Sequence, residues 1–254
     1  MKWKTTALLV SGLTFAALLG LAGCSKSEKS NSSSGNGDAG NASADDQTAA
    51  KSKSINNLKQ IGLALHMCHD ALGKLPSAGK RESFKDENVD PLTLYSWRVQ
   101  ILPYIEQNAL YIQILENKQR AIPDKAAKSE IVLYQNPLDP QKQPYKTHYR
   151  VFVGNGAAFE YGKGYSFHEF ADGLTNTILV VEAADAVDWS KVDELNYDPK
   201  KPLPKLGIFE GGFHALMGDG QIRWIPAETD EKLIRAMITR NGGEKITLPG
   251  HYVR

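Results

Sequence analysis

Residues 25–52, SKSEKSNSSSGNGDAGNASADDQTAAKS, hold no aromatic residue and no Leu, Ile, Val or Met. A tract of that composition has no apolar surface whose burial would repay the entropy of ordering it. It reads as a disordered Ser/Asn/Gly linker. As a flexible chain its span is roughly 30 Å, scaling as the square root of its length. Of the 254 residues, those from Lys53 onward are left to build a folded core, a size suited to one domain.

What precedes the tract explains why it is there. Residues 1–24, MKWKTTALLVSGLTFAALLGLAGC, carry Lys2 and Lys4, an apolar run from Ala7 to Leu21 and small residues before a cysteine, the layout of a secretory signal peptide. The apolar run is shorter than the ~20 residues of a membrane span. Its end, Leu21-Ala22-Gly23-Cys24, resembles a bacterial lipobox, which implies cleavage before Cys24 and lipid attachment to that cysteine. The expected organisation is therefore a signal peptide over 1–23, a lipidated Cys24 with its linker over 24–52, and one domain over 53–254. The expected location is extracytoplasmic and lipid-anchored, with the membrane as a partner through the lipid. Ser25, in place of an inner-membrane retention aspartate, favours the outer membrane by analogy.

Within the folded part the charge is nearly balanced, +1 over the whole chain, and no basic stripe with interleaved aromatics occurs. Nucleic acid is accordingly not an expected partner. With Cys24 assigned to lipid, Cys68 has no cysteine to pair with and reads as a small buried hydrophobe.

The domain opens with SINNLKQIGLALHMCHDALGKLP, in which Ile55, Leu58, Ile61, Leu65, Cys68 and Leu72 recur at spacings of three and four. That spacing predicts an amphipathic helix of about five turns, stopped by Gly73 in a left-handed cap. His66 and Asp70 share a face of it and would offer two metal ligands with His69 nearby; no third ligand is identifiable, so solvated or core-edge histidines are expected. Next, YSWRVQILPYIEQNALYIQI is helical in period and broken by Pro103. Thr147–Val153 and Thr177–Val181 read as strands, YDPKKPLPKLG as an extended surface loop, and TDEKLIRAMITRNGG as a short helix with Leu233, Ile234, Met237 and Ile238 on one side, ending at Asn241-Gly242.

In FHALMGDGQIRWI, residues 213–225, two apolar runs flank Asp219-Gly220. The pair suits a two-residue type I′ hairpin turn. That register pairs Met217 with Ile222, puts Phe213, Ala215, Met217, Ile222 and Trp224 on one face, and points His214 to the other face near Ile225. Asp219 and Gly220 are then turn-forming residues.

Tools for catalysis are missing: there is no GxSxG, HExxH, P-loop or GxGxxG motif and no cysteine pair at zinc spacing. Catalytic residues and cofactors are therefore not expected. Glu182, Asp185 and Asp188 cluster after a strand, and Asp172, Asn176 and Asp219 are the oxygen-bearing candidates for a cation such as calcium, without the spacing of a calcium loop. Turn formation and solvation are the competing reading of all of them.

The motifs NNLKQIGLALHMCHDALGKLP, SWRVQILPYIEQNALY, YRVFVGNGAAFE, ADGLTNTILVVEAADAVDWSK, YDPKKPLPKLG and FHALMGDGQIRWI together resemble a planctomycete family of unknown function. Its members usually begin with a prepilin-type cleavage and methylation motif, and it is also labelled as bacterial solute-binding. The resemblance implies an α+β fold of type IV pilin or pseudopilin kind, a long N-terminal helix packed on an antiparallel sheet with irregular loops and a short C-terminal helix, and no known activity. The chain departs from the family in its lipobox and polar linker, and in carrying Ser54 and Asn136 where members have cysteines, as if a disulfide between helix start and turn had been discarded.

Three functions follow as expectations. The first is a non-catalytic structural or interaction module of the cell envelope, its partner an envelope protein or polysaccharide. The second is a solute-binding lipoprotein, with Trp189 and Tyr197 as exposed stacking residues. The third is an envelope hydrolase.

Overall fold

The structure is a computed structural model, and it describes residues 44–79, 95–117, 122–138, 143–244, 247–248 and 251–253. The expected signal peptide, Cys24 and the first part of the expected linker lie outside the described residues. All described residues belong to one compact unit, Asn41–Arg254.

The first helix, α1, spans Ala44–Leu72 and so begins inside the tract assigned to the linker, whose boundary at residue 52 is too late. The start of α1 holds no large apolar residue, and small ones suffice. Ala49 and Ala50 are strong helix formers, Asp45 and Asp46 sit in the first turn where the helix dipole favours negative charge, and Ala50 is buried. Leu58, Ile61, Leu65 and Cys68 form the buried face as their spacing predicts. Ile55 is only half-buried and Leu72 is 47% exposed, while Ser54, Asn57 and Ala64 join the buried face. Gly73, at φ 72°, donates its N–H to the His69 carbonyl at 2.7 Å and ends the helix as expected.

The SWRVQ stretch forms a short helix, α2 (Trp97–Gln100), capped by the Ser96 hydroxyl. Pro103 then begins a 3-10 turn over Leu102–Ile105, and α3 (Asn108–Leu115) and α4 (Asp124–Ala127) follow. A five-stranded antiparallel sheet carries the rest: β1 (Lys146–Arg150), β3 (Ile178–Asp188), β5 (Gly212–Met217), β6 (Ile222–Pro226) and β7 (His251–Tyr252), in the order β1-β3-β5-β6-β7. The strand expected over 147–153 is split. After Arg150 the chain leaves the main sheet, and β2 (Phe152–Val153) pairs in parallel with β4 (Leu195–Asn196).

The sheet is buried on both sides. Against one side lies α1, with Leu58, Ile61, Leu65 and Cys68 packed among Leu179, Val180, Leu216 and Ile222. Gly62 permits the approach, since a Cβ there would stand 2.8 Å from the Leu216 Cδ1. Against the other side lie β2, β4 and α5 (Glu231–Ile238), with Ile234, Met237 and Ile238 packed among Val181, Ala215, Phe213 and Ile225. The α5 helix starts at Asp230, whose carboxylate accepts the Lys232 N–H, and stops at Ile238, ahead of the expected Asn241-Gly242. A register shift in β3 between Ile178 and Val180 turns Leu179 and Val180 both into the α1 side of the core. No described helix is long and apolar enough to cross a membrane.

Candidate functional site

The β5–β6 hairpin forms where expected but in a different register. Phe213 opposes Ile225, His214 opposes Trp224 and Leu216 opposes Ile222, one residue away from the expected Met217–Ile222 pairing. The turn is a three-residue loop, Gly218-Asp219-Gly220, closed by Met217 N–H to Gln221 O at 2.9 Å and Gly220 N–H to Met217 O at 3.0 Å. Only Gly220 has a positive φ, 83°, so the type I′ assignment is wrong. The extra glycine, Gly218, supplies the third loop position, and Asp219 keeps an ordinary backbone. Directly opposed residues share a face, so the slip by one brings Trp224 onto the face of His214, which alternation along β5 already turns away from Phe213 and Ala215 and toward α1.

On that face lies a buried polar cluster. Glu182 lies on β3 opposite Tyr149 of β1 and is fully buried. One of its oxygens accepts the Ser54 hydroxyl from α1, the other accepts the His214 backbone N–H at 2.7 Å, and His214 Nδ1 lies 3.0 and 3.2 Å from the two. Ser54 Oγ is also 2.9 Å from the Tyr149 hydroxyl, which accepts from Asn57 Nδ2 at 3.2 Å. Burial and the Glu182 charge both push the Tyr149 hydroxyl above its ordinary pKa, so it stays a neutral phenol. The His214 ring packs edge-on against Trp224 at 4.8 Å and Phe209 at 5.6 Å, and Lys51 Nζ stands 4.6 Å from the Trp224 ring centre. Serine, carboxylate and histidine meet here in an order that does not suit nucleophilic attack: Ser54 donates to Glu182 rather than to an imidazole that would take its proton. The cluster fastens α1 to the sheet.

A second buried pair fixes the α2 segment. Arg98 and Glu194 are both fully buried, with Nη2 2.7 Å from one carboxylate oxygen and Nη1 3.3 Å from the other. Arg98 also donates to the carbonyls of Trp189, Tyr149 and Lys191, and Glu194 accepts the Val151 N–H at 3.1 Å. Burial pushes the Glu194 carboxyl up, while Arg98 and the Val151 N–H pull it back.

The expected site residues are used up in other ways. Trp189 and Tyr197 are buried, and Trp189 donates its indole N–H to Ser129 O at 3.1 Å, so neither is an exposed stacking surface. Asp172 accepts the N–H groups of Gly242 and Gly243 at 2.7 and 2.8 Å, one on each oxygen, and Asn176 donates to the Asp172 carbonyl. Asp219 accepts the Gln221 N–H at 3.0 Å, as a turn residue does. Glu182 and its neighbours part company: Glu182 points into the core, Asp185 is exposed and Asp188 pairs with Lys191 at 2.6 Å. His66 Nε2 is 3.0 Å from Gly218 O, whereas His69 accepts the Phe167 N–H and stacks on the Phe167 ring at 3.9 Å. Among the described residues no three His, Cys, Asp or Glu side chains converge as a metal site. Ser54 bonds across the core to Glu182 and Tyr149, and Asn136 accepts the Leu138 N–H. Cys68 is buried as expected, and burial pushes its thiol up to about 11.

Shallow grooves open among the described residues, and two of them bear on function. One, of about 310 Å³, lies between the 203–206 loop, Phe209, Phe213 and Ile234. The other, of about 350 Å³, lies between α1 and the hairpin turn, lined by Lys59, Gly62, Leu63, His66, Asp219 and Gly220. The Ser54–Glu182–His214 cluster and the Arg98–Glu194 pair escaped the sequence reading. Alternation along β5 sets the face of His214 but does not name Glu182, 32 residues away, as its partner, and nothing local links Arg98 to a carboxylate 96 residues away.

Residues 47–152 match the model of a family described as a protein of unknown function (DUF1559), with the short label SBP_bac_10. The matched stretch holds all but the first three residues of α1, the SWRVQ segment and β1. No curated protein and no solved structure matches the chain.

Proposed function

We propose that the chain is a lipid-anchored, non-catalytic module of the bacterial cell envelope, held outside the cytoplasm on Cys24 and built as a pseudopilin-like domain. The observation that supports this reading most is the order of parts: a polar tract leads directly into a long helix laid across an antiparallel sheet. The polar side chains that would have served catalysis or ion binding are engaged within the fold, Glu182 with Ser54 and His214, Asp172 with Gly242 and Gly243. What remains for function is surface, offered to an envelope protein or polysaccharide. Cys24→Ala tests the anchor: incorporation of labelled fatty acid should vanish and the protein should leave the membrane fraction. Retained label in the variant would overturn the reading. Density separation of the two membranes should place the wild type with the outer one.

Solute binding is the second reading. The groove beside Phe209 and Phe213 is at the lower end of small-ligand site volumes, and the family's short label points the same way. A Phe209→Ala variant that loses a thermal shift produced by a solute in the wild type would favour it over the first.

A further inference from the structure

The outward face of α1 carries Lys59, Leu63, Met67 and Asp70 in a single stripe, all four exposed. Leu63 is 63% exposed and Met67 44%, although the opposite face of the same helix is fully buried under the sheet. The stripe is self-complementary. Turned end over end about a point between Ala64 and Leu65, it lays Asp70 over Lys59 and Met67 over Leu63, with mismatches no larger than one residue, about 1.5 Å along the helix. The charges agree in sign with that overlay: Lys59 has no ion-pair partner among the described residues, and Asp70 has only a 3.6 Å approach to its neighbour His69. The groove of about 350 Å³ runs directly beside Leu63, walled by Gly62 and His66 on the helix and by Asp219 and Gly220 on the hairpin. A flexible thioether arriving at Leu63 from the far side has a recess to fill there.

We infer that the occupant of this face is a second copy of the chain, docked antiparallel along α1. The contact is isologous, as a two-fold requires: the partner's Met67 enters the groove beside Leu63, the partner's Asp70 pairs with Lys59, and each contact occurs twice. Two apolar side chains and one charge pair per copy make a small interface, so the dimer is weak and transient in free solution. The inference does not rest on the lipid anchor, because every residue in it belongs to the folded domain.

The test is a charge exchange read by sedimentation equilibrium of the full-length chain in detergent, over a concentration series reaching the millimolar range. Wild type should show a concentration-dependent dimer. Lys59→Asp and Asp70→Lys should each weaken it about tenfold, since one reversal spoils both symmetric pairs and puts like charges together. The double variant Lys59→Asp with Asp70→Lys should restore it, because the exchange recreates the pairs in the opposite sense. Leu63→Cys mixed with Met67→Cys should cross-link on oxidation more readily than either variant alone. These exposed substitutions leave the core intact, which a thermal melt of each variant checks. A chain that stays monomeric throughout, or a dimer in which the double exchange does not recover what the single changes lost, overturns the inference.

Discussion

His214 grips both oxygens of Glu182: its backbone N–H lies 2.7 Å from one, and its ring Nδ1 lies 3.0 and 3.2 Å from the two. With the Ser54 hydroxyl as a further donor, a fully buried carboxylate is supplied from two directions, the sheet and α1. Such a group is tolerated in a core only while its partners stay in place, and removing one member strands the rest.

Glu182→Ala should therefore cost about 3–5 kcal/mol in urea denaturation, since it leaves the Ser54 and His214 donors without an acceptor and opens a cavity. Glu182→Gln keeps the volume and one good acceptor oxygen, and should cost about 1–3 kcal/mol. A Glu182→Gln variant as stable as wild type would mean that shape alone matters there, not hydrogen bonding.

The Arg98–Glu194 pair separates the cost of breaking a buried ion pair from the value of having one. Arg98→Met should destabilise by about 3–5 kcal/mol, because Glu194 is left charged and uncompensated in the core. Combining it with Glu194→Leu should recover at least about 1 kcal/mol of that loss, a coupling that a double-mutant cycle measures directly. Strict additivity of the two changes would contradict the geometry.

His148 is half-buried on β1, its Nδ1 2.8 Å from Ala183 O, and its pKa is lowered mainly by burial, against the pull of that carbonyl and of Glu182 and Asp185. A histidine whose folded pKa lies below its unfolded value binds more protons when unfolded. Its contribution to stability is therefore present above an unfolded pKa of about 6.5 and is lost as the pH falls from there through the folded value. His148→Gln should flatten that part of a stability-against-pH curve measured by urea denaturation. An unchanged slope in the variant would assign the acid loss to other groups.

Cys68 is buried on α1, with its thiol pushed up to about 11 by burial. Thiolate is the reactive form, so at pH 8 this thiol should resist alkylation in the native protein. In a Cys24→Ala background, labelling should track global unfolding across a denaturant series. Rapid labelling without denaturant would show that α1 lifts from the sheet locally.

Legibility tracked how local the determining contacts are. The helix from Ile55 onward could be read because its core is spaced at three and four; its first three turns could not, because Ala49 and Ala50 weigh little as hydrophobes yet favour a helix strongly. Cys68 was legible for the same reason, one position on a periodic face. The hairpin could be located from its glycines and not registered, since Gly218-Asp219-Gly220 offers two places to turn, and a one-residue choice decides whether Ile225 or Trp224 opposes His214. Glu182 read as one of three surface acids because nothing near it in sequence shows that Ser54 and His214 converge on it.

The same turn gives the sharpest contrast between neighbouring residues. Gly220 holds φ at 83°, where a side chain is strained, while Asp219 keeps an ordinary backbone and accepts the Gln221 N–H through its carboxylate. Gly220→Ala should therefore cost about 1–2 kcal/mol. Asp219→Asn retains an acceptor oxygen and should be almost neutral, and Asp219→Val, which loses the acceptor without meeting a positive φ, should cost only about 1 kcal/mol. Thermal melts of the three variants, with and without calcium, rank these effects. A large loss in Asp219→Asn, or a calcium-dependent stabilisation present in wild type and absent from that variant, would show that the charge of Asp219 serves an ion and not only the turn.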